Sequence, residues 1–470
     1  MNAFSKHPDA SGGRKNHALV IGLGRSGVAA SRLLCAHGYA VTLIDEGVGR
    51  TSVSVQQELE NAGITVLTFQ KHIPHGTFGL VVVSPGVPSD HPFVLAAQSV
   101  CEDVISELEL GYRYCSCPIF AVTGTNGKST LVALLDHMLS CLGLQSKACG
   151  NLGTPLCDLV QESPGLDWLV VEVSSFQLEL IRDFRPRCAV LLNLQPDHLD
   201  RHKDMQTYLA IKCRIFEKMG QGDVAVVMAD LLPEVRKILN STDSDGVRWV
   251  PFGALPDWHY DTGAHAILGC DPTTSTSISI DVHESYFDQA ITGQTAAAAV
   301  TALARCVEPD FSRFSKALRT FSPLPHRMQW VADLAGVGFI NDSKATNMAA
   351  MCAAVSMQCR PVHLIAGGQL KEKDVFFAKQ VLKKHVSCVY VIGDAADFLA
   401  QAWGEDVTVI HSGTLENAMH MIFKHVKPSE VVLLSPGCAS FDQFRSYVER
   451  GEKFIQIVET RKQEVARSVG

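Results

Sequence analysis

Several things are missing from this sequence, and each absence narrows what it encodes. No apolar run approaches the ~20 residues that span a bilayer, and no signal-peptide-like apolar core is found near the start, so the reading is no membrane partner and a cytoplasmic location. No dense basic stripe is present and the formal net charge is −8, which argues against nucleic acid as a partner. The fifteen cysteines show no CxxC or zinc-type spacing. Cys115-Ser116-Cys117 is the nearest to a cluster, so they read as buried free thiols in a reducing compartment. There is no low-complexity tract or obvious internal repeat. Residues 1–16 are polar and read as a disordered tail. With 470 residues, 46% of them hydrophobic and 19% charged, the chain reads as an ordinary soluble globular protein of about three domains.

What is present is organised around Ala121-Val122-Thr123-Gly124-Thr125-Asn126-Gly127-Lys128-Ser129-Thr130. The apolar run from Ile119 predicts a buried strand leading in. Leu131, Leu134, Leu135, Met138 and Leu142 predict a helix leading out. A glycine-bounded turn ending at a helix N-terminus suits bound phosphate, with Lys128 to meet its outer oxygens and the Ser129 hydroxyl to ligate Mg²⁺. Val122 stands where the first glycine of the usual GxxxxGK[ST] loop would be. The reading is an ATP-binding loop; the plain alternative is a strand–turn–helix corner with a surface lysine.

Upstream, His17–Ile21 predicts a strand and Gly22-Leu23-Gly24-Arg25-Ser26-Gly27 a GxGxxG turn. A second strand, Ala40–Ile44, ends at Asp45. Alone this is a dinucleotide fingerprint, although the glycines report a tight turn and close phosphate approach rather than a nicotinamide. A third strand, Leu80–Val83, runs into Ser84-Pro85-Gly86-Val87-Pro88, either a ligand loop at a strand's carboxyl end or a plain connection. This first domain ends near Ser106.

Downstream of the phosphate loop, Trp168–Val173 predicts a strand with Glu172 as its one acidic residue. A carboxylate there is either a second Mg²⁺ anchor or a structural partner, since burying it unpaired is costly. Asp197-His198-Leu199-Asp200-Arg201-His202 follows the strand Cys188–Leu194 and suits metal or phosphate, or else is a solvated loop. Lys212, on the next helix, reads by itself as a surface lysine. Residues 241–281 are turn-rich, with short β-like runs and no assignable role, and an alanine-rich helix is expected from Gln294 to Cys306. Phe321-Ser322-Pro323-Leu324-Pro325-His326-Arg327 is a proline-stiffened hinge. Beyond it strands are expected at Val337–Ile340, Pro361–Ala366, Cys388–Ile392, Val407–Ile410 and Val431–Leu434. Their carboxyl ends carry 341–347, 367–371 and 435–442, three polar loops converging on one crevice.

These motifs together resemble the Mur ligases of bacterial cell-wall synthesis over nearly the whole chain. Gly-Thr-Asn-Gly-Lys-Ser-Thr is shared with folylpolyglutamate synthases. Ser174-Ser175-Phe176-Gln177-Leu178-Glu179, Leu324-Pro325-His326-Arg327, Asn341-Asp342-Ser343-Lys344-Ala345-Thr346-Asn347 and Ser435–Asp442 point to the member that adds D-glutamate. The resemblance implies three α/β domains: a Rossmann-like UDP-substrate domain at 17–106, a P-loop ATPase-like domain at 107–323 and a Rossmann-like amino-acid domain at 324–470. It implies a cytoplasmic, monomeric enzyme that joins D-glutamate to UDP-N-acetylmuramoyl-L-alanine through an acyl phosphate, using ATP and two Mg²⁺ ions. By the same resemblance Gly24, Arg25, Ser26 and Asp45, with Ser84, Pro85, Gly86 and Val87, surround the uridine diphosphate, and Asn151 contacts substrate. Gly124, Thr125, Asn126, Gly127, Lys128, Ser129 and Thr130 hold ATP with Arg327 and Asp342. Ser129, Glu172, His198 and Lys212, the last carbamylated, serve the metals. Lys128, His198, Lys212 and Arg327 form the catalytic set. Thr346, Lys371, Ser440, Phe441 and Tyr447 hold D-glutamate. One departure stands out: Thr295, Ala296 and Ala299 occupy positions where relatives carry a His-Asn pair and a further Asn, which bears on ATP affinity.

Overall fold

Uninterrupted runs of valine, isoleucine and leucine set the strands, because parallel strands covered on both faces need no polar side. The computed structural model describes residues 16–47, 53–151, 153–240, 246–371 and 374–469. The tail expected at 1–16 lies, but for its last residue, outside them.

The chain divides into two compact units. One runs to Leu194 and adds Gln206–Asp288 and Thr292–Phe321; the other joins Gln195–Met205 and Gln289–Ile291 to Ser322–Gly470. The first unit holds three sheets. β1 (His17–Ile21), β2 (Ala40–Ile44), β3 (Thr65–Leu67), β4 (Leu80–Val83) and β5 (Val104–Ser106) form a parallel sheet in the order β3-β2-β1-β4-β5. The order reverses between β1 and β4, so the loops after these two strands border a crevice.

The second sheet contains β6 (Ile119–Thr123), β7 (Ser146–Gly150), β8 (Trp168–Glu172), β9 (Cys188–Leu191), β10 (Val224–Met228) and β11 (Arg248–Phe252). Its order is β11-β10-β9-β6-β8-β7, all parallel. β6 is thus flanked by β8 and β9, and the loops leaving these three parallel strands gather at one end of the sheet. The helix Lys128–Leu142 buries Leu131, Leu134, Leu135, Met138 and Leu139 completely, at about 1.5–3 kcal/mol per side chain.

β12 (His259–Asp261), β13 (Ala266–Cys270) and β14 (Ser277–Asp281) form a small antiparallel sheet. Together with β11, these strands form the structure described within the 241–281 stretch that had no assignable role. The next helix begins at Ala290, four residues before the expected Gln294.

The second unit carries β15 (Gln329–Leu334), β16 (Val337–Asn341), β17 (Val362–Gly367), β18 (Val386–Ile392), β19 (Val409–Gly413) and β20 (Val431–Leu434), in the order β15-β16-β20-β17-β18-β19. Only the edge strand β15 is antiparallel. Its mixed sequence, Gln-Trp-Val-Ala-Asp-Leu, gave no apolar run to read. The expected strand Val407–Ile410 is displaced to Val409–Gly413.

All fifteen cysteines are free, as expected, but not all are buried: Cys270 and Cys359 are exposed. Cys115 and Cys117 bring their sulfurs to 3.9 Å.

Candidate active site

The phosphate loop leaves β6 at Gly124 and enters the helix at Lys128. Gly124 (φ 149°) and Gly127 (φ 79°) hold conformations that L side chains rarely adopt. A Cβ on Gly127 would also lie 2.8 Å from a Leu192 methyl. Lys128 folds over the loop, its Nζ donating to the carbonyls of Gly124 (3.0 Å) and Thr125 (2.8 Å).

Two of the loop N–H groups are bonded within the chain. Thr125 and Asn126 donate theirs to Oδ1 of Asn193, both at 3.0 Å, and Asn193 Nδ2 returns a bond to the Asn126 carbonyl. Asn193 therefore braces the loop from the end of β9. The sequence did carry a signal for it, a lone polar residue inside the strand expected at Cys188–Leu194, which in the structure ends at Leu191.

Glu172 ends β8 beside the loop and is 3% exposed. Its Oε2 takes a short hydrogen bond from the Ser129 hydroxyl, and its Oε1 accepts from Asn151 Nδ2 at 2.8 Å. Ser129, Glu172 and Asn151, read separately from sequence, are one hydrogen-bonded chain. Lys212 overturns the isolated reading of a surface lysine. It is 1% exposed, its Nζ donates to the Gly124 carbonyl at 2.8 Å, and it lies 4.4 Å from the centre of the Tyr208 ring. The four-residue spacing from Tyr208 places it on the buried face of its helix, and the carbonyl it meets lies 88 residues away.

Near the phosphate loop, Thr295 lies beside Gly127, its hydroxyl 3.6 Å from where a Cβ would be. Ala296 and Ala299 are fully buried in the apolar core. The three substituted positions are thus split between the loop and the core.

In the first sheet, the helix Arg25–Ala36 starts at Gly24 without a side-chain cap, an open N-terminus suited to an anion. Ser84 donates its hydroxyl to the Gly22 carbonyl at 2.9 Å, joining the loops after β1 and β4. Pro85 and Val87 are half-buried and Gly86 is exposed. Asp45 accepts backbone N–H bonds from Leu23 (2.8 Å) and Gly47 (3.0 Å), one on each oxygen. Both oxygens are engaged in shaping the turn, which weakens the reading of this residue as the ribose-binding acid of a nicotinamide site.

In the second unit the three polar loops do meet. Ser435 Oγ donates to Asp342 Oδ2 at 2.8 Å, and Gly437 N–H bonds to the Ala345 carbonyl. Gln369 and Ala439 exchange backbone bonds of 2.8 and 2.9 Å. The neighbouring order β16-β20-β17 dictates this convergence. Burial pushes the Asp342 carboxyl up to about 7, against the hydrogen bonds it accepts from Ser435 and Met328. Thr346 is half-buried, Ser440 buried, and Lys371 and Phe441 exposed. Tyr447 offers its ring to Lys344 Nζ at 4.0 Å. Arg327 is half-buried.

His198 also belongs to this unit and has a left-handed backbone (φ 54°), its Nε2 3.5 Å from Asp197 Oδ2. Asn347 Nδ2 donates to that oxygen at 3.1 Å, while Asp197 Oδ1 is buried without a hydrogen-bond partner.

One organiser here escaped the sequence reading. Arg450 is buried and donates to the Ser343 hydroxyl (3.0 Å), the Ser343 carbonyl (2.9 Å) and the Cys438 carbonyl (3.1 Å). It ties the 341–347 loop to the 435–442 loop. A signal existed: Arg450 shares a helical stripe, at four-residue spacing, with the fully buried Phe454 and Val458.

Family models match along the chain. A Mur ligase MurD-like N-terminal domain matches residues 16–106, a Mur ligase middle domain 122–266, and a Mur ligase glutamate ligase domain 326–438. The UDP-N-acetylmuramoylalanine–D-glutamate ligase of Koribacter versatilis is 37% identical over 456 residues, covering 95% of this chain and 97% of its own length. The enzyme of the same name from Gloeothece citriformis is 34% identical over 460 residues, covering 94% and 98%. Among solved structures, the MurF ligase of Thermotoga maritima in complex with ADP aligns with a TM-score of 0.59 at 17% identity, covering 90% of this chain and 96% of its own. MurF from Acinetobacter baumannii aligns with a TM-score of 0.58 at 16% identity, covering 90% and 92%. At these identities the structural likeness concerns the fold.

Proposed function

Because the chain belongs to the Mur ligase family, we propose that it joins D-glutamate to UDP-N-acetylmuramoyl-L-alanine, at the expense of ATP, in peptidoglycan precursor synthesis. The observation that carries this reading is the hydrogen-bonded chain Asn151–Glu172–Ser129, with Glu172 and Ser129 buried, beside a lysine-bearing phosphate loop.

Carboxylate oxygen is a poor leaving group and phosphate a good one. The alanyl carboxylate therefore attacks the γ-phosphorus of ATP and ADP departs. The amine of D-glutamate then attacks the acyl-phosphate carbonyl, phosphate leaves, and the nitrogen loses its proton. This chain's contribution is to hold anions that repel one another. The N-terminus of the helix Lys128–Leu142 and the Lys128 ammonium face ATP phosphate, and Arg327 adds positive charge. Asp342 serves the nucleotide. The open helix start at Gly24, with Arg25 and Ser26, and the 84–87 loop take the uridine diphosphate in a turn shaped by Asp45. Thr346, Lys371, Ser440, Phe441 and Tyr447 take D-glutamate.

The residues present fit Mg²⁺. A buried carboxylate and a hydroxyl, Glu172 and Ser129, form a hard oxygen donor pair, and Asp197 has an unpartnered buried oxygen beside His198. Bound there, Mg²⁺ supplies charge neutralisation at the phosphates. We place one ion with Ser129 and Glu172 and a second with His198, supported by a carbamate on Lys212. The carbamate would turn a buried cation into an anion. The protein acts as a monomer in the cytoplasm; no described helix is long and apolar enough to cross a membrane.

The test is phosphate release from ATP and Mg²⁺ with UDP-N-acetylmuramoyl-L-alanine, adding one amino acid at a time. Release that depends on D-glutamate is expected. Release with a different amino acid would overturn the substrate, and silence with all of them at saturating ATP would overturn the ligase.

A further inference from the structure

The antiparallel sheet β12–β14 has no part in the chemistry above, yet at its edge it gathers three metal-ligating side chains. His265 precedes β13, His283 follows β14, and Asp288 closes the turn after it. One ligand atom from each lies within 4.8 Å of the other two. A tetrahedral ion at roughly 2.0 Å from its ligands sets them about 3.3 Å apart, so small side-chain rotations would close the set.

The cluster is held from behind. The Tyr260 hydroxyl donates to Asp288 Oδ1 at 2.8 Å and the Glu284 N–H to Oδ2 at 3.2 Å, fixing the carboxylate as outer-shell partners fix a ligand. His265 Nδ1 lies 2.7 Å from Asp288 Oδ1, and the two imidazoles stand edge to face at 5.0 Å. The Val282 N–H bonds to the His265 carbonyl at 2.9 Å, locking the two histidine-bearing segments together. Both histidines are exposed and Asp288 is half-buried, which leaves an open side for water or a further ligand.

We propose that His265, His283 and Asp288 form a binding site for a divalent transition-metal ion of the Zn²⁺ class. Two imidazoles are borderline donors that favour such ions over Mg²⁺, and these ions accept a carboxylate as a third ligand. The site is separate from the Ser129–Glu172 pair and does not rest on the ligase reading. An ion there clamps the 282–288 turn to the β12–β13 hairpin, and binding to the folded chain alone raises its melting temperature with metal concentration.

The experiment titrates Zn²⁺ into the full, untagged chain against a chromophoric chelator, with excess Mg²⁺ present, and repeats the titration with Co²⁺. One ion per chain is expected, with no thiolate-to-cobalt charge-transfer band. His265→Ala and His283→Ala should each weaken binding at least about tenfold; His420→Ala, an exposed histidine in the other unit, should not. Asp288→Asn, which keeps the side chain's shape, should weaken it as well. The variants' metal-free melting temperatures report folding. Absence of binding, affinity unchanged in both histidine variants, or a thiolate band from one of the free cysteines would each overturn the proposal.

Discussion

Glu107 offers a sharp test of how burial sets stability in this chain. It opens the helix Glu107–Tyr114 and is 1% exposed. One oxygen accepts the Cys157 N–H at 2.8 Å; the other is buried without a hydrogen-bond partner. Burial raises its carboxyl from 4.5 to about 7, and the Cys157 bonds oppose the rise only in part. The folded pKa lies above the unfolded one, so the folded state binds more protons between these values. The stabilising contribution is full below about pH 4.5 and is lost as pH rises toward 7. At 1.36 kcal/mol per pH unit the loss reaches about 3 kcal/mol, an upper bound because the helix N-terminus favours the anion. Glu107→Gln keeps an acceptor for the Cys157 N–H and cannot ionise. Urea unfolding of both proteins at several pH values should give similar stability near pH 5, with the variant ahead by about 2–3 kcal/mol near pH 8. Curves that stay parallel across that range would refute the reasoning and leave Glu107 ionised in the folded protein.

Other residues make separate predictions. Asn193→Ala should raise the Kd for ATP about tenfold or more, measured by isothermal titration, because three bonds that shape the loop are lost; an unchanged Kd would show the loop holds its form unaided. Lys212→Ala should abolish phosphate release and regain part of it with added acetate or another short carboxylate; activity lost without recovery would count against the carbamate. Arg450→Met should raise the KM for D-glutamate more than that for ATP. It should also destabilise the second unit by about 3 kcal/mol, since the Ser343 and Cys438 carbonyls lose their donor at roughly 1–3 kcal/mol each. Equal KM values with an unshifted unfolding midpoint would remove Arg450 from its place between the loops.

Much of this protein could be read without coordinates where one segment carried both the structure and the chemistry. The apolar run Ile119–Val122, the two glycines of the loop and the leucine spacing after it dictate strand, turn and helix, because each depends on neighbours a few residues away. β1, β2, β4 and β20 lie where their apolar runs placed them, and the polar loops after β16, β17 and β20 converge as expected.

What the sequence left open depended on partners far along the chain. Glu172 allowed two readings in isolation, and the fold joins it to both Ser129 and Asn151. Lys212 sits on a helix whose spacing says nothing of the Gly124 carbonyl 88 residues away that accepts its hydrogen bond. Asn193 and Arg450 became organisers only when sheet order brought loops beside them. β15 has no apolar run and exists because β16 offers it an antiparallel edge. His265 and His283 are brought within reach of each other and of Asp288 only by the β13–β14 hairpin. By itself the sequence determined the local conformations and the residue types available for phosphate chemistry. Tertiary structure decided which of those residues meet, because burial and pairing depend on distances that spacing along the chain does not encode.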